Sequence, residues 1–190
     1  MTHAQKILAC LDEKLTSKVD LTLYGRAALH LGFPDSSDEQ ALSRDVDAVL
    51  WLGQAEELNE TTNFWDAIEQ VNNELADREL YISHFFTEEQ VILRPEWREH
   101  RVAIEGAWAH LSLYRLADLD LLLSKLMRDD PLDRADALFI VRSSGLTIPM
   151  IKEAMALARI PDVSEIREQF AAAGTKLLAS VEQLAHGESQ

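Results

Sequence analysis

All strand patterns of this sequence lie before residue 115, where they are interspersed with helix patterns, and only helix patterns follow; this order restricts the folds open to the chain. The first strand pattern lies at residues 19–24, where apolar and polar residues alternate, and the last ends at Tyr114. From Ala117 onward the sequence is helical in character. Strands followed by helices predict an α+β fold, with a mixed β-sheet flanked by helices and a C-terminal helical bundle.

Short apolar segments bounded by turn residues give the predicted element boundaries. Strands are predicted at residues 19–24, 44–51, 80–86, 90–93, 101–105 and 109–114. Helices are predicted at residues 4–18, 26–31 and 63–75, with further helix starts at Pro131, Thr147 and Pro161 and a loop at residues 32–38. The predicted domains are residues 1–115 and 116–186, followed by a tail at residues 187–190.

The chain is strongly acidic, which limits its partners. Its 190 residues include 33 acidic and 18 basic side chains, for a formal net charge of -15. This charge repels the phosphate backbone of duplex nucleic acid, so we expect no strong duplex binding. A nucleotide that arrives with a divalent cation, or a protein partner with a basic surface, is compatible with it.

Features that direct a chain to a membrane are not apparent in the sequence. No apolar run approaches the ~20 residues that a membrane-spanning helix needs, and the first residues lack the apolar core of a secretion signal. These observations predict a cytoplasmic protein with no membrane partner. The single cysteine, Cys10, lies in an amphipathic segment and is expected to be a packed thiol.

Asp45 and Asp47 are the residues that point most clearly to chemistry. They lie two apart in a predicted strand, so both carboxylates project from the same face of the sheet. Adjacent carboxylates repel each other, and Mg²⁺ or Mn²⁺ relieves that repulsion while it binds triphosphate oxygens. The pair therefore predicts a metal site, although a solvated strand end has the same spacing.

Two further residues flank the aspartates in a way that suits phosphate binding. Gly25 ends the first strand and introduces a helix, an arrangement whose backbone N–H groups can receive phosphate. Ser43 precedes the pair and offers a hydroxyl donor. Each residue alone is weak evidence, but the order of strand, glycine turn, short helix, loop and Ser-x-Asp-x-Asp strand is much more restrictive.

This order resembles the nucleotidyltransferase superfamily, in the variant found in abortive-infection type IV toxins and related uncharacterised bacterial proteins. The residues that carry the resemblance are Tyr24-Gly25-Arg26-Ala27-Ala28-Leu29 and Ser43-Arg44-Asp45-Val46-Asp47. The run from Asp118 to Arg128, followed by Asp133 and Asp136, looks like the helical signature of the same family. The resemblance covers residues 19–160 and implies a nucleotidyltransferase-like sheet.

The resemblance also implies roles for the residues near the glycine turn. Asp45 and Asp47 are expected to be catalytic and to bind the metal, while Gly25 and Ser43 approach the phosphates of an NTP. Arg26 stands where the family has a second small residue. It either blocks close approach to a triphosphate or supplies a cation to it.

Two implied site residues lie further along the chain. Catalysis in the superfamily also uses a third carboxylate from a later strand, for which Glu105 is the candidate. Lys125 is the candidate for contact with the nucleotide. The alternative for Lys125 and Arg128 is a set of ion pairs with Asp133 and Asp136 that fixes the helical bundle.

Two functions are compatible with the sequence. The first is metal-dependent transfer of an NMP from an NTP to an RNA or protein hydroxyl, in a setting related to toxin–antitoxin pairs. The second is a nucleotidyltransferase fold that has lost catalysis and serves as a binding or regulatory module for a basic protein. The two strand aspartates and Ser43 favour the enzyme, whereas Arg26 and the uncertain third carboxylate favour the binding module.

Overall fold

The structure is a computed structural model that describes residues 1–36, 43–128 and 130–187. The chain forms two compact units, each built from two separate parts of the sequence. The units are Met1–Glu88 with Arg101–Leu116, and Glu89–His100 with Ala117–Gln190. The second unit therefore contains a segment that the sequence assigned to the domain at residues 1–115.

The first unit combines helices and strands. In chain order they are α1 (His3–Lys14), β1 (Val19–Tyr24), α2 (Gly25–Gly32), β2 (Asp45–Leu50), α3 (Gln54–Thr61), α4 (Phe64–Leu75), β3 (Tyr81–Thr87), β4 (Val102–Ala103) and β5 (Leu111–Arg115). The described strands form one mixed sheet in the order β3-β2-β1-β5-β4. Strand β1 is antiparallel to β2 and parallel to β5, while β2 is parallel to β3. The predicted mixed sheet flanked by helices is thus confirmed.

One face of this sheet carries the core of the first unit. Leu21 and Leu23 alternate along β1, and Leu23 pairs with Ala48 of β2; all three are fully buried. Helix α1 contributes Ile7 and Leu11, which are also fully buried. Burial of a side chain the size of leucine contributes about 1.5–3 kcal/mol. Because side chains alternate along a strand, the aspartates of β2 project from the opposite face.

Asp12 connects the end of α1 to the start of β5. Its carboxylate accepts backbone N–H groups from Ala109, His110 and Leu111, each at 2.8 Å. Burial acts to raise the pKa of this carboxyl, but the three N–H donors outweigh burial and hold the pKa below its ordinary value. Asp12 is therefore an ionised structural residue of the first unit.

The second unit is helical. Its helices are α5 (Asp118–Lys125), α6 (Pro131–Ser143), α7 (Ile148–Leu157) and α8 (Ser164–Gly187). The predicted start at Pro131 is confirmed, and the Asp130 side chain caps α6 by accepting the Leu132 N–H. Among the described residues, no helix combines the length and the apolar character needed to cross a membrane.

An ion pair with the buried Asp120 joins the segment Glu89–His100 to helix α5 within the second unit. Asp120 is fully buried and accepts the Arg94 guanidinium at 2.7 Å and the Arg94 backbone N–H at 2.9 Å. The apolar residues 91–93 of the strand predicted at residues 90–93 are buried, and Leu93 forms only an isolated bridge with Arg159. The strand prediction was wrong because an apolar run marks burial as readily as it marks a strand.

Other predicted boundaries also change. The strand predicted at residues 101–105 is reduced to Val102–Ala103, and the one predicted at residues 109–114 is observed at Leu111–Arg115. Helix α3 was not predicted, because only Ala55 and Leu58 of its eight residues are apolar. Residues 37–38 of the predicted loop and residues 188–190 of the predicted tail lie outside the described residues.

Candidate functional site

The carboxylates of Asp45 and Asp47 converge on one hydroxyl group. The Ser83 Oγ of β3 lies 2.5 Å from Asp47 Oδ1 and 3.5 Å from Asp45 Oδ2. Both aspartates are half-buried at the start of β2. The sequence prediction that the two carboxylates share one face of the sheet is confirmed, and the neighbouring strand adds a polar group between them.

A β-bulge brings two residues of β3 to Asp47. Val46 pairs with Ile82 and Ala48 with Phe85, so that Ser83 and His84 together oppose the single residue Asp47. The His84 Nδ1 lies 3.3 Å from Asp47 Oδ1 and 2.9 Å from Ser83 Oγ. In a regular strand one of these side chains would point to the core. The bulge allows both to reach the carboxylate.

The imidazole of His84 is held against an aromatic ring while remaining accessible. It stacks on Phe86 with ring centroids 5.5 Å apart, and Phe86 contacts Tyr24 edge-to-face at 5.4 Å. The His84 side chain is 64% exposed, compared with 21% for Asp47. The carboxylates are therefore sheltered, whereas the imidazole lies at the solvent side of the cluster.

Gly25 lies directly beside Asp47. Tyr24 pairs with Asp47 in the sheet, and α2 begins at the next residue, where Gly25 has a φ of +69°. A Cβ atom on Gly25 would lie 3.4 Å from Asp47 Oδ2, and residues with side chains rarely adopt this backbone conformation. The turn therefore requires glycine, and it places the start of α2 beside the Asp47 carboxylate.

Ser43 contacts the site through Asp45. Its hydroxyl donates to Asp45 Oδ1 at 2.7 Å, so that Asp45 is fixed from one side by Ser43 while its other oxygen faces Ser83. The structure therefore gives Ser43 a contact with the carboxylate itself. Its predicted contact with phosphate stays a prediction.

Glu105 lies elsewhere in the sheet. It is exposed and follows β4, which is separated from β2 by β5 and β1. Three strand spacings of about 4.8 Å give a separation of roughly 14 Å between β2 and β4. The structure thus does not bring Glu105 to the aspartates as the predicted third carboxylate, because its strand pairs with β5 at the far edge of the sheet.

Lys125 belongs to the second unit, where it is almost completely buried. Its Nζ donates to Asp136 at 2.8 Å and to Asp133 at 3.4 Å, and the Arg128 guanidinium donates to Asp133 at 2.9 Å. The Lys125 side chain is only 7% exposed. The geometry is the ion-pair network that the sequence offered as the alternative to nucleotide contact.

The ligand set around Asp45 and Asp47 suits a hard divalent cation in part. Carboxylate and hydroxyl oxygens are the donors that Mg²⁺ and Mn²⁺ prefer, and Mg²⁺ commonly uses one or two carboxylates together with water and phosphate. Across the described part of the chain, no group of three or more His, Cys, Asp and Glu side chains is arranged to hold a metal ion. The protein would thus supply two carboxylates, and the substrate and water would supply the other ligands.

Comparisons with protein-family models, with curated proteins and with solved structures found no match for this chain. The function is therefore inferred from the chemistry of the site, since a fold by itself does not fix an activity. That chemistry is set by the Asp45–Asp47 pair, the adjoining glycine turn, and the residues Ser83 and His84.

Proposed function

We propose that this protein is a nucleotidyltransferase that uses Mg²⁺ or Mn²⁺ to transfer an NMP from an NTP to a hydroxyl of RNA or protein. The observation that carries the proposal is the convergence of Asp45 and Asp47 on one point beside the glycine turn of α2. Two carboxylates held together favour a divalent cation, and backbone N–H groups at a helix start favour phosphate. The sequence resemblance to nucleotidyltransferases supports the same reaction.

Each residue of the site has a part in this proposal. Asp45 and Asp47 would hold the cation, which supplies neutralisation of the phosphate charge as the α-phosphoryl group is transferred. Ser43 orients Asp45 through its hydrogen bond. Gly25 leaves room beside Asp47, and Arg26 adds positive charge in the first turn of α2, where a triphosphate would lie.

The second candidate function is a nucleotidyltransferase fold without turnover that acts as a binding or regulatory module. The observation in its favour is that Ser83 and His84, rather than a carboxylate, face Asp47 from the neighbouring strand. The acidic chain would then bind a basic protein partner by charge complementarity. Both candidate functions, the active transferase and the regulatory binding module, are compatible with a role in a toxin–antitoxin pair.

The test of the first proposal is transfer of label from α-labelled ATP, CTP, GTP or UTP. Total tRNA and mixed proteins serve as acceptors, with Mg²⁺ or Mn²⁺ present. The wild type is compared with Asp45→Asn and Asp47→Asn. Transfer by wild type that is lost in Asp45→Asn and in Asp47→Asn supports the enzyme. Absence of transfer from folded wild type under every condition supports the binding module.

Thermal unfolding then separates nucleotide binding from turnover. A ligand that binds only the native state raises the melting temperature, by an amount that corresponds to about 2.7 kcal/mol at one hundred times its Kd. We expect a nucleotide with Mg²⁺ to stabilise wild type and to have no such effect on Asp47→Asn. Stabilisation without transfer identifies a nucleotide-binding module. If neither stabilisation nor transfer is observed, the function does not involve nucleotides.

A further inference from the structure

We propose that Ser83 is an acceptor for the transferred nucleotide, so that the protein attaches an NMP to its own strand β3. This inference rests on the proposed nucleotidyltransferase function and adds a modification site to it. Its basis is the position of the Ser83 hydroxyl, which lies against both carboxylates and against a group that can accept its proton.

The Ser83 hydroxyl lies close to the place where a metal-bound phosphate would sit. An acceptor oxygen must approach the α-phosphorus closely, at about 3–3.5 Å in a reactive complex. Ser83 Oγ already lies 2.5 Å from one carboxylate oxygen of Asp47 and 3.5 Å from one of Asp45. A phosphate bound between these aspartates by a shared cation would therefore have the Ser83 hydroxyl as a near neighbour.

A group that can accept the proton of the Ser83 hydroxyl lies beside it. The Nδ1 of His84 lies 2.9 Å from Ser83 Oγ, and in the tautomer with its hydrogen on Nε2 this nitrogen can accept the proton that Ser83 donates to Asp47 in the structure. Stacking on Phe86 fixes the plane of the imidazole. The β-bulge is the reason that the hydroxyl and the imidazole lie on the same side of β3, since adjacent residues of a regular strand point in opposite directions.

The reaction balances with an NTP as the only co-substrate. Ser83 Oγ attacks the α-phosphorus and forms a new phosphorus–oxygen bond. The bond from the α-phosphorus to the oxygen that bridges to the β-phosphate breaks, and pyrophosphate leaves with that electron pair. The hydroxyl proton passes to Nδ1 of His84. The product is a phosphodiester between Ser83 and the nucleoside.

The location of the product predicts a limit on the reaction. An NMP on Ser83 places a phosphodiester between the two aspartates, where the next NTP would have to bind. We therefore expect no more than one nucleotide per chain. Transfer to external acceptors is expected to fall as the modified fraction rises.

The experiment is intact-protein mass spectrometry after incubation of the full chain with each NTP and Mg²⁺ or Mn²⁺, followed by peptide mapping. We expect the peptide that contains Ser83 to gain the mass of one NMP less one water, and we expect this label to be lost in Ser83→Ala. Ser83→Thr retains a hydroxyl and is expected to retain label at residue 83. Ser112→Ala is the matched control, because Ser112 is an exposed serine on another strand of the same sheet, and its label is expected to equal that of wild type.

The outcomes separate this inference from the proposed function. Label that maps to another residue, or that persists in Ser83→Ala, overturns the assignment of Ser83. Transfer to RNA or to another protein with Ser83 unmodified overturns it as well, while the proposed function stands. If wild type is neither labelled nor stabilised by any nucleotide with metal, both proposals fail. Circular dichroism of Ser83→Ala confirms that loss of label does not reflect unfolding.

Discussion

The side chain of Asn72 forms two hydrogen bonds with the backbone of Ile82. Its Nδ2 donates to the Ile82 carbonyl at 3.1 Å, and its Oδ1 accepts the Ile82 N–H at 2.8 Å. Strand β3 is at the edge of the described sheet, where backbone groups have no neighbouring strand. Asn72 of α4 thus supplies, at one residue, the pairing that another strand would give.

Asn72→Ala is expected to destabilise the protein by about 1–3 kcal/mol, because it leaves a backbone donor and acceptor of β3 without partners. Urea denaturation at neutral pH measures this change. The control is Asn73→Ala, because Asn73 is the adjacent residue of α4 and is exposed. We expect that control to stay within about 0.5 kcal/mol of wild type. Equal losses in the two variants would show that the Ile82 contact contributes nothing.

Asp12→Asn is expected to lower the free energy of unfolding at pH 7 by about 1.5–3 kcal/mol, since the amide loses the charge that three N–H groups share. The pKa of Asp12 in the folded protein lies below its unfolded value of about 3.9. Its contribution is therefore present above that unfolded value and is lost as the pH falls through the folded pKa.

Denaturation of wild type and Asp12→Asn at several pH values tests this prediction. The difference between them should be largest at neutral pH and should shrink in acid. Glu13→Gln is the control, because Glu13 is an exposed carboxylate at the next position of α1. A difference between Asp12→Asn and wild type that does not depend on pH would contradict the role of the ionised carboxylate.

Gly25→Ala is expected to cost about 1–2 kcal/mol in stability, because an alanine at a φ of +69° is strained. It should also abolish stabilisation by nucleotide with Mg²⁺, since the new methyl group lies against Asp47 Oδ2. Gly53→Ala separates the two effects. Gly53 has a φ of +87°, but a Cβ atom there meets no other atom within 4 Å. That variant should lose stability to a similar extent and keep the nucleotide effect.

Lys125→Met is expected to destabilise the protein by about 3 kcal/mol, because buried Asp133 and Asp136 lose their ammonium partner while Asp133 keeps the Arg128 guanidinium. Lys152→Met, at an exposed position of α7, should be nearly neutral. Chemical denaturation measures both variants. If Lys125→Met kept wild-type stability but was no longer stabilised by nucleotide, that result would support the predicted contact between Lys125 and the nucleotide.

The parts of the site that were predictable from the sequence are local in origin. Strand β1 has the predicted bounds, and Gly25 starts a helix as its position after β1 indicated. The shared face of Asp45 and Asp47 follows from their spacing by two. Each of these inferences depends only on residues close together in the chain, where alternation and turn chemistry decide the conformation.

The parts that were missed depend on pairing between distant strands. Ser83 and His84 lie in a strand that was predicted, but alternation assigns them to opposite faces, and only the bulge against β2 brings both to Asp47. Two adjacent polar residues in an apolar strand were the available signal. The distance of Glu105 from the aspartates was missed for a related reason: it follows from the order of strands in the sheet, which no single segment of the sequence determines.

The path of the chain between the two units has a consequence for protein synthesis. The chain leaves the first unit after Glu88, returns at Arg101 and leaves again after Leu116. A nascent chain therefore leaves one edge of β1 unpaired until β5 has been made, and it carries Glu89–His100 before the helices of the second unit exist. Pairings between such distant segments form late and leave strand edges open in the meantime. Cleavage of the chain at any single peptide bond therefore cannot yield either unit as one complete fragment.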